Sequence, residues 1–121
     1  MWRIEPTPQY VKDQKWYEKK RPNELAAALY NLKRYVQQLN AAPNSKAFTV
    51  GYIHPEPHGV VAIDQRGGGG NLQETRLYVY PDEARKVLYI ITIGNKDEQP
   101  SDVQFCNDFV GSLVKKEQEQ V

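Results

Sequence analysis

Residues 75–102, TRLYVYPDEARKVLYIITIGNKDEQPSD, decide the fold. Leu77 and Val79 alternate with Arg76, Tyr78 and Tyr80, a period-2 pattern that gives a strand one oily and one polar face. Pro81-Asp82-Glu83-Ala84-Arg85 supplies the reversal, proline setting the backbone and the acids favouring a turn. Val87 to Ile93 is nearly continuous in β-branched and aromatic residues, so it reads as the buried central strand. Gly94 ends that strand, and Asn95-Lys96-Asp97-Glu98 leaves the sheet at its rim. Arg76 and Lys96 therefore belong to one sheet. Two cations beside tyrosines suit a phosphate-bearing ligand better than an oily one.

Beyond this stretch, Ser101 and Gln104 spell an S-x-x-Q capping box, and Val103, Cys106, Phe109, Val110 and Leu113 form a helical stripe. Past Val114 no apolar anchor remains, so the tail from Lys115 is expected to fray. Upstream, Gly59 to Arg66 reads as a strand, joined to the one at Thr75 by the loose loop Gly67–Asn71. That glycine run is no phosphate cradle, because a strand and not a helix N-terminus follows it. Ala47 to Tyr52 fits either a strand or an ordered loop. His54-Pro55-Glu56-Pro57-His58 is rigid and extended, each proline restricting itself and the residue before it.

At the other end, Trp2-Arg3-Ile4-Glu5 alternates as a short strand with Trp2 and Ile4 inward. Gln9 to Lys20 suits a helix, with Tyr10, Val11 and Tyr17 near one face and Trp16 at its margin. Pro22 or Asn23 opens a second helix, whose stripe is Leu25, Ala28, Leu29, Leu32, Val36 and Leu39. The short break between them makes a helical hairpin. The expected order is β-α-α-β-β-β-α. This is an α+β fold, with the helices gathered on one face of a small antiparallel sheet.

With 121 residues the chain suits one domain, 1–121, with one modest core. No apolar run approaches the ~18 residues of a membrane helix, and MWRIEPTPQ lacks a signal-peptide core. The single cysteine excludes an internal disulfide framework, and the cytoplasm is the expected compartment. A net charge of +1 argues against a dedicated nucleic-acid binder, although KDQKWYEKKRP (12–22) concentrates basic residues. Those residues read either as a solvated helix face or as a phosphate-steering patch.

The run TRLYVYPDEARKVLYIITIGNKDEQPSDVQFCNDFV resembles the C-terminal half of the RelE/ParE toxin superfamily: an arginine-bearing strand, an acidic turn, an oily strand ending at Gly-x-Lys, and a polar break into a helix. A first strand followed by a helical hairpin is also similar to that family. The Pro/His segment before Gly59 is an addition to the usual pattern. The resemblance implies a RelE-like toxin of a type II toxin–antitoxin pair, bound by a cognate antitoxin. RelE-like members cut mRNA at the ribosome as endoribonucleases (mRNA interferases), and ParE-like members poison gyrase. It implies no cofactor and no metal.

For RNA cleavage, the 2′-OH attacks the adjacent phosphate, which requires a base, an acid for the leaving 5′-oxygen, and cations on the phosphorane. By the resemblance, Arg76 and Lys96 are the catalytic cations, and Arg66 falls near the family's further basic residues. Tyr78, Tyr80 and His58 are the substrate-binding candidates, with His54 a further candidate for proton transfer. Where active members often carry a tyrosine or histidine, this chain has Asp97-Glu98-Gln99-Pro100-Ser101-Asp102. A carboxylate there is a candidate base that also repels phosphate. The alternative is a non-catalytic toxin that acts by binding gyrase or an antitoxin-like partner.

Overall fold

The computed structural model describes residues 1–41 and 51–119. Strand β1 (Arg3–Pro6) leads into helices α1 (Pro8–Lys20) and α2 (Pro22–Ala41). Strands β2 (Ile53–Pro55), β3 (Val61–Asp64), β4 (Thr75–Asp82) and β5 (Val87–Asn95) follow, and helix α3 (Gln99–Glu119) closes the fold. Short 3-10 turns at Pro57–Gly59 and Lys96–Glu98 precede β3 and α3. The α+β class and the expected order stand, with one strand more. That strand, β2, lies in the proline segment, where an extended backbone pairs antiparallel with β3 through His54 and Ala62. The reading of Ala47–Tyr52 falls largely outside the described residues.

The sheet runs β1-β5-β4-β3-β2 and is mixed, not antiparallel: β1 lies parallel to β5, with Arg3 opposite Val87. Two helices separate β1 from the rest of the sheet, which gives the chain the crossover that parallel pairing needs. β5 is central, as its unbroken apolar run requires. Along β4 and β5 the register slips between Tyr78 and Val79, which face Thr92 and Ile90 and leave Ile91 as a bulged residue. The bulge lets Ile90 and Ile93, three apart, face the same core while Ile91 faces the other.

The helices do not gather on one face. α1 and α2 cover Leu77, Val79, Leu88, Ile90 and Ile93, joined by Tyr35, which is 1% exposed. α3 covers the opposite face, where Cys106 and Val110 pack on Ala62, Tyr78 and Ile91. The face that alternation marks as polar is thus half a second core. A tyrosine supplies as much apolar ring as a phenylalanine and is not a reliable marker of a wet surface. Ile4 and Val11, expected inward, are 44% and 43% exposed, while Trp2 is buried.

Helix ends follow local chemistry. Thr7 caps α1 by accepting from the Tyr10 N–H, and its hydroxyl donates to the Ile91 carbonyl at 2.7 Å. Ser101 is not the cap of α3. The capping box is one turn earlier, where Asn95 and Glu98 exchange side-chain-to-backbone bonds of 3.1 and 3.0 Å. Nor does α3 fray after Lys115: it continues to Glu119, and Arg85 from the β4–β5 turn pairs with Glu117. Among the described residues no helix is long and apolar enough to cross a membrane.

Candidate functional site

On the α3 face, the end of the sheet where α3 begins carries the chemistry. Strand register sets three residues in a row there. Asp64 of β3 lies opposite Arg76 of β4, and Arg76 lies opposite Gly94 of β5. Directly opposed residues share a face, so this row continues the one formed by Ala62 and Tyr78.

Arg76 holds the middle. Its side chain is 22% exposed and reaches Glu56 at 3.5 Å and Glu74 at 3.7 Å. Glu56 comes from the proline segment, which folds over this face and packs against α3 through the Pro57–Gly59 turn. The Arg76 Nε is buried and has no hydrogen-bond partner among the described residues. A buried unpaired donor costs free energy, which an acceptor arriving from outside would recover.

On one side stands a histidine–aspartate pair. His54 Nε2 lies 2.6 Å from Asp64 Oδ2, with the imidazole a quarter exposed and Asp64 buried. The Asp64 Oδ1 accepts the Arg66 backbone N–H at 2.8 Å, and Asn31 fixes the Asp64 carbonyl at 2.9 Å. The carboxylate, held by the Arg66 N–H, orients one ring nitrogen of His54, and a quarter of the imidazole remains exposed. The Arg66 guanidinium joins the same group, 3.3 Å from Asp64 Oδ2 and donating to the Gly51 carbonyl at 2.7 Å.

On the other side, Asp102 of α3 sits against Gly94. A Cβ on Gly94 would occupy the place of Asp102 Oδ2, so a side chain here would push the Asp102 carboxyl aside. That oxygen is buried without a partner among the described residues. Desolvation, with smaller contributions from Glu98 and from Asp13 of α1, pushes the Asp102 carboxyl up from 3.8 to about 7. The folded chain holds this proton more tightly than the unfolded chain does. Its stabilising contribution is full below about pH 3.8 and is lost as pH rises through about 7. Between about pH 5.5 and about pH 8.5 the melting temperature of the wild type is therefore expected to fall by several degrees more than that of Asp102→Asn. Thermal melts of both proteins across that range check this.

The sequence candidates divide between two places. Arg66, Arg76 and Lys96 share one end of the sheet, Lys96 standing exposed on the turn two residues past Gly94. Tyr80 and His58 stand at the opposite end, lining a cavity of about 660 Å³ with Val60, Asp82 and Glu117. Tyr78 lies between them at 0% exposure, and burial raises its phenol above the ordinary range. Cys106 beside it is core, its thiol pushed up to about 12 by burial. Sequence reasoning missed Asp64 altogether. Its only signal was an acid at the end of a buried strand, two residues before an arginine.

No family model and no curated protein matches the chain. Solved structures do. A metal-bound toxin from Helicobacter pylori superposes with a TM-score of 0.53 at 17% identity, over 81% of this chain and 98% of that one. A histidine-to-glutamine mutant of YafQ from E. coli gives 0.52 at 20% identity, over 82% and 98%. A chain of the E. coli DinJ–YafQ complex gives 0.50 at 17% identity, over 78% and 93%. The chain shares the fold of these proteins over nearly their whole length.

Proposed function

We propose that this protein is the toxin of a type II toxin–antitoxin pair, acting in the cytoplasm as a ribosome-associated endoribonuclease restrained by a cognate antitoxin. The shared fold supports the toxin reading, and the complex of YafQ with DinJ supports a protein partner on this fold. The nuclease reading is supported by the row His54–Asp64, Arg76, Gly94–Asp102, read as a cation with a candidate base on one side and a candidate acid on the other.

Cleavage by 2′-OH attack needs that order. The base and the acid stand on opposite sides of the phosphorus, and the cation faces the equatorial oxygens. Asp64 and Gly94 are two strand spacings apart, ~10 Å, which leaves room for a phosphodiester between the groups they hold. His54, oriented by Asp64, accepts the 2′-OH proton. The 2′-oxygen bonds to phosphorus, the bond to the 5′-oxygen breaks, and Asp102 donates its proton to that oxygen. The products are a 2′,3′-cyclic phosphate and a 5′-OH. Arg76 binds the non-bridging oxygens, with Lys96 as the second cation and Arg66 on the flanking nucleotide. Tyr78 supports the row from below.

One observation favours a second reading, a toxin that acts by binding gyrase or another protein. Glu56 and Glu74 already hold Arg76, so a phosphate must displace them. The two readings part in primer extension on cellular mRNAs after a pulse of expression. Discrete breaks are expected in the wild type, reduced about 10²-fold or more in His54→Ala and in Asp102→Asn. Growth arrest without breaks would overturn the nuclease reading and leave binding.

A further inference from the structure

The basic run at 12–22 becomes a single surface once α1 is in place. Lys12, Lys15, Trp16, Lys19 and Lys20 stand at i, i+3, i+4, i+7 and i+8, one stripe of the helix, and all are exposed. Tyr10 and Tyr17 face the other way, into the core. None of the four lysines makes an ion pair among the described residues, and the acids nearby are engaged elsewhere. Glu18 accepts from Gln14, and Asp13 accepts from Gln9 and Thr92.

Trp16 is 51% exposed in the middle of these lysines, an unusual place for the largest apolar side chain. It is also held in place: its ring meets Tyr17 edge to face at 5.1 Å and 70°. A fixed indole among four unpaired cations offers one stacking plane and a surround of phosphate partners. An acidic protein segment would use the lysines but leave the indole idle. A membrane surface would need an oily face, and the face opposite the stripe is committed to the core.

We infer that this face of α1 binds single-stranded RNA, one base stacked on Trp16 and the neighbouring phosphates on Lys12, Lys15, Lys19 and Lys20. Helix α1 flanks the row described above, its sheet-facing side toward the row and the lysine stripe on its outer side. Asp13 on α1 accepts from Thr92 at 2.5 Å, and the charges of Glu98 and Asp102 are felt at Tyr17. A strand leaving Arg76 on the Gly94 side passes Asp102 and Asp13 before it reaches the lysines on the outer side of α1. The inference thus extends the RNA-cleaving reading by naming where the substrate beyond the scissile phosphate lies.

The test uses an RNA that cannot be cut. A fluorescent 2′-O-methyl oligouridylate of about 12 nucleotides is titrated with the full chain by anisotropy at several salt concentrations. Trp16→Ala should bind about ten-fold more weakly, and Trp16→Phe, which keeps an aromatic plane, should stay near the wild type. The double variant Lys15→Ala/Lys19→Ala should lower the salt slope by roughly 1.4, two phosphate contacts on a single strand. All the substituted side chains are exposed, so circular dichroism should show unchanged folding. Unchanged affinity in Trp16→Ala overturns the inference. So does displacement of the RNA by polyglutamate at equal charge with no dependence on Trp16, which would mark a site for an acidic protein. Because this RNA lacks a 2′-OH, binding here with no breaks in cells would sink the nuclease reading and keep the α1 surface.

Discussion

Arg76→Ala is expected to reduce cleavage of ribosome-bound mRNA by about 10³-fold, with a modest loss of stability of about 1–2 kcal/mol. The size follows from the role assigned to the guanidinium, a preorganised cation on charge that grows in the transition state. The modest stability effect follows from its surroundings. Arg76 is held by two carboxylates at 3.5 and 3.7 Å, long for charge-assisted bonds, and its Nε has no partner among the described residues. Losing such long contacts costs little in itself, but Glu56 is only 16% exposed and is left without its cation, which costs about 1–2 kcal/mol. Arg76→Lys keeps the charge but not the two-pronged geometry, and should recover only part of the rate. Single-turnover cleavage of ribosome-bound mRNA with purified protein, beside a melt of each variant, checks both halves. A variant that cuts like the wild type would mean that Arg76 serves only the ion pairs.

Tyr78→Ala should instead destabilise the fold by about 3–5 kcal/mol, the cost of removing a large buried aromatic ring and leaving a cavity. Tyr78 is fully buried between Ala62, Ile91 and Cys106, and its ring helps seat α3 on the sheet. Tyr78→Phe separates packing from chemistry. The phenol oxygen is buried without a hydrogen bond among the described residues, so removing it should be neutral or slightly stabilising. It should also leave cleavage unchanged. Denaturant melts of the two variants, with the cleavage assay on the phenylalanine form, decide this. A large loss of rate in Tyr78→Phe would make the hydroxyl a participant.

The strand pair at 75–95 was legible because its chemistry is local: alternation in β4, an unbroken apolar run in β5, and a turn between them. The helical hairpin was legible for the same reason. Tertiary pairing was not. Four residues of β1 carry no record of whether their partner runs parallel, and a stripe on α3 does not say which side of the sheet it covers. The site followed the same division. Arg76 and Lys96 could be placed in one sheet from spacing alone. The raised Asp102 carboxyl depends on burial against Gly94, eight residues away across a turn. The His54–Asp64 pair depends on β2 joining β3, in a segment whose prolines announce only that it is extended.

The central claim is that a cation flanked by two proton-transfer groups cleaves RNA through the 2′-OH, and the chemistry of the cut ends tests it most directly. Fragments produced with purified protein and programmed ribosomes should carry a 5′-OH on one side and a 2′,3′-cyclic phosphate on the other, and both should vanish with Arg76→Ala. Ends carrying a 5′-phosphate and a 3′-OH would mean that water, not the 2′-OH, attacks the phosphate, and would contradict the mechanism built on this row.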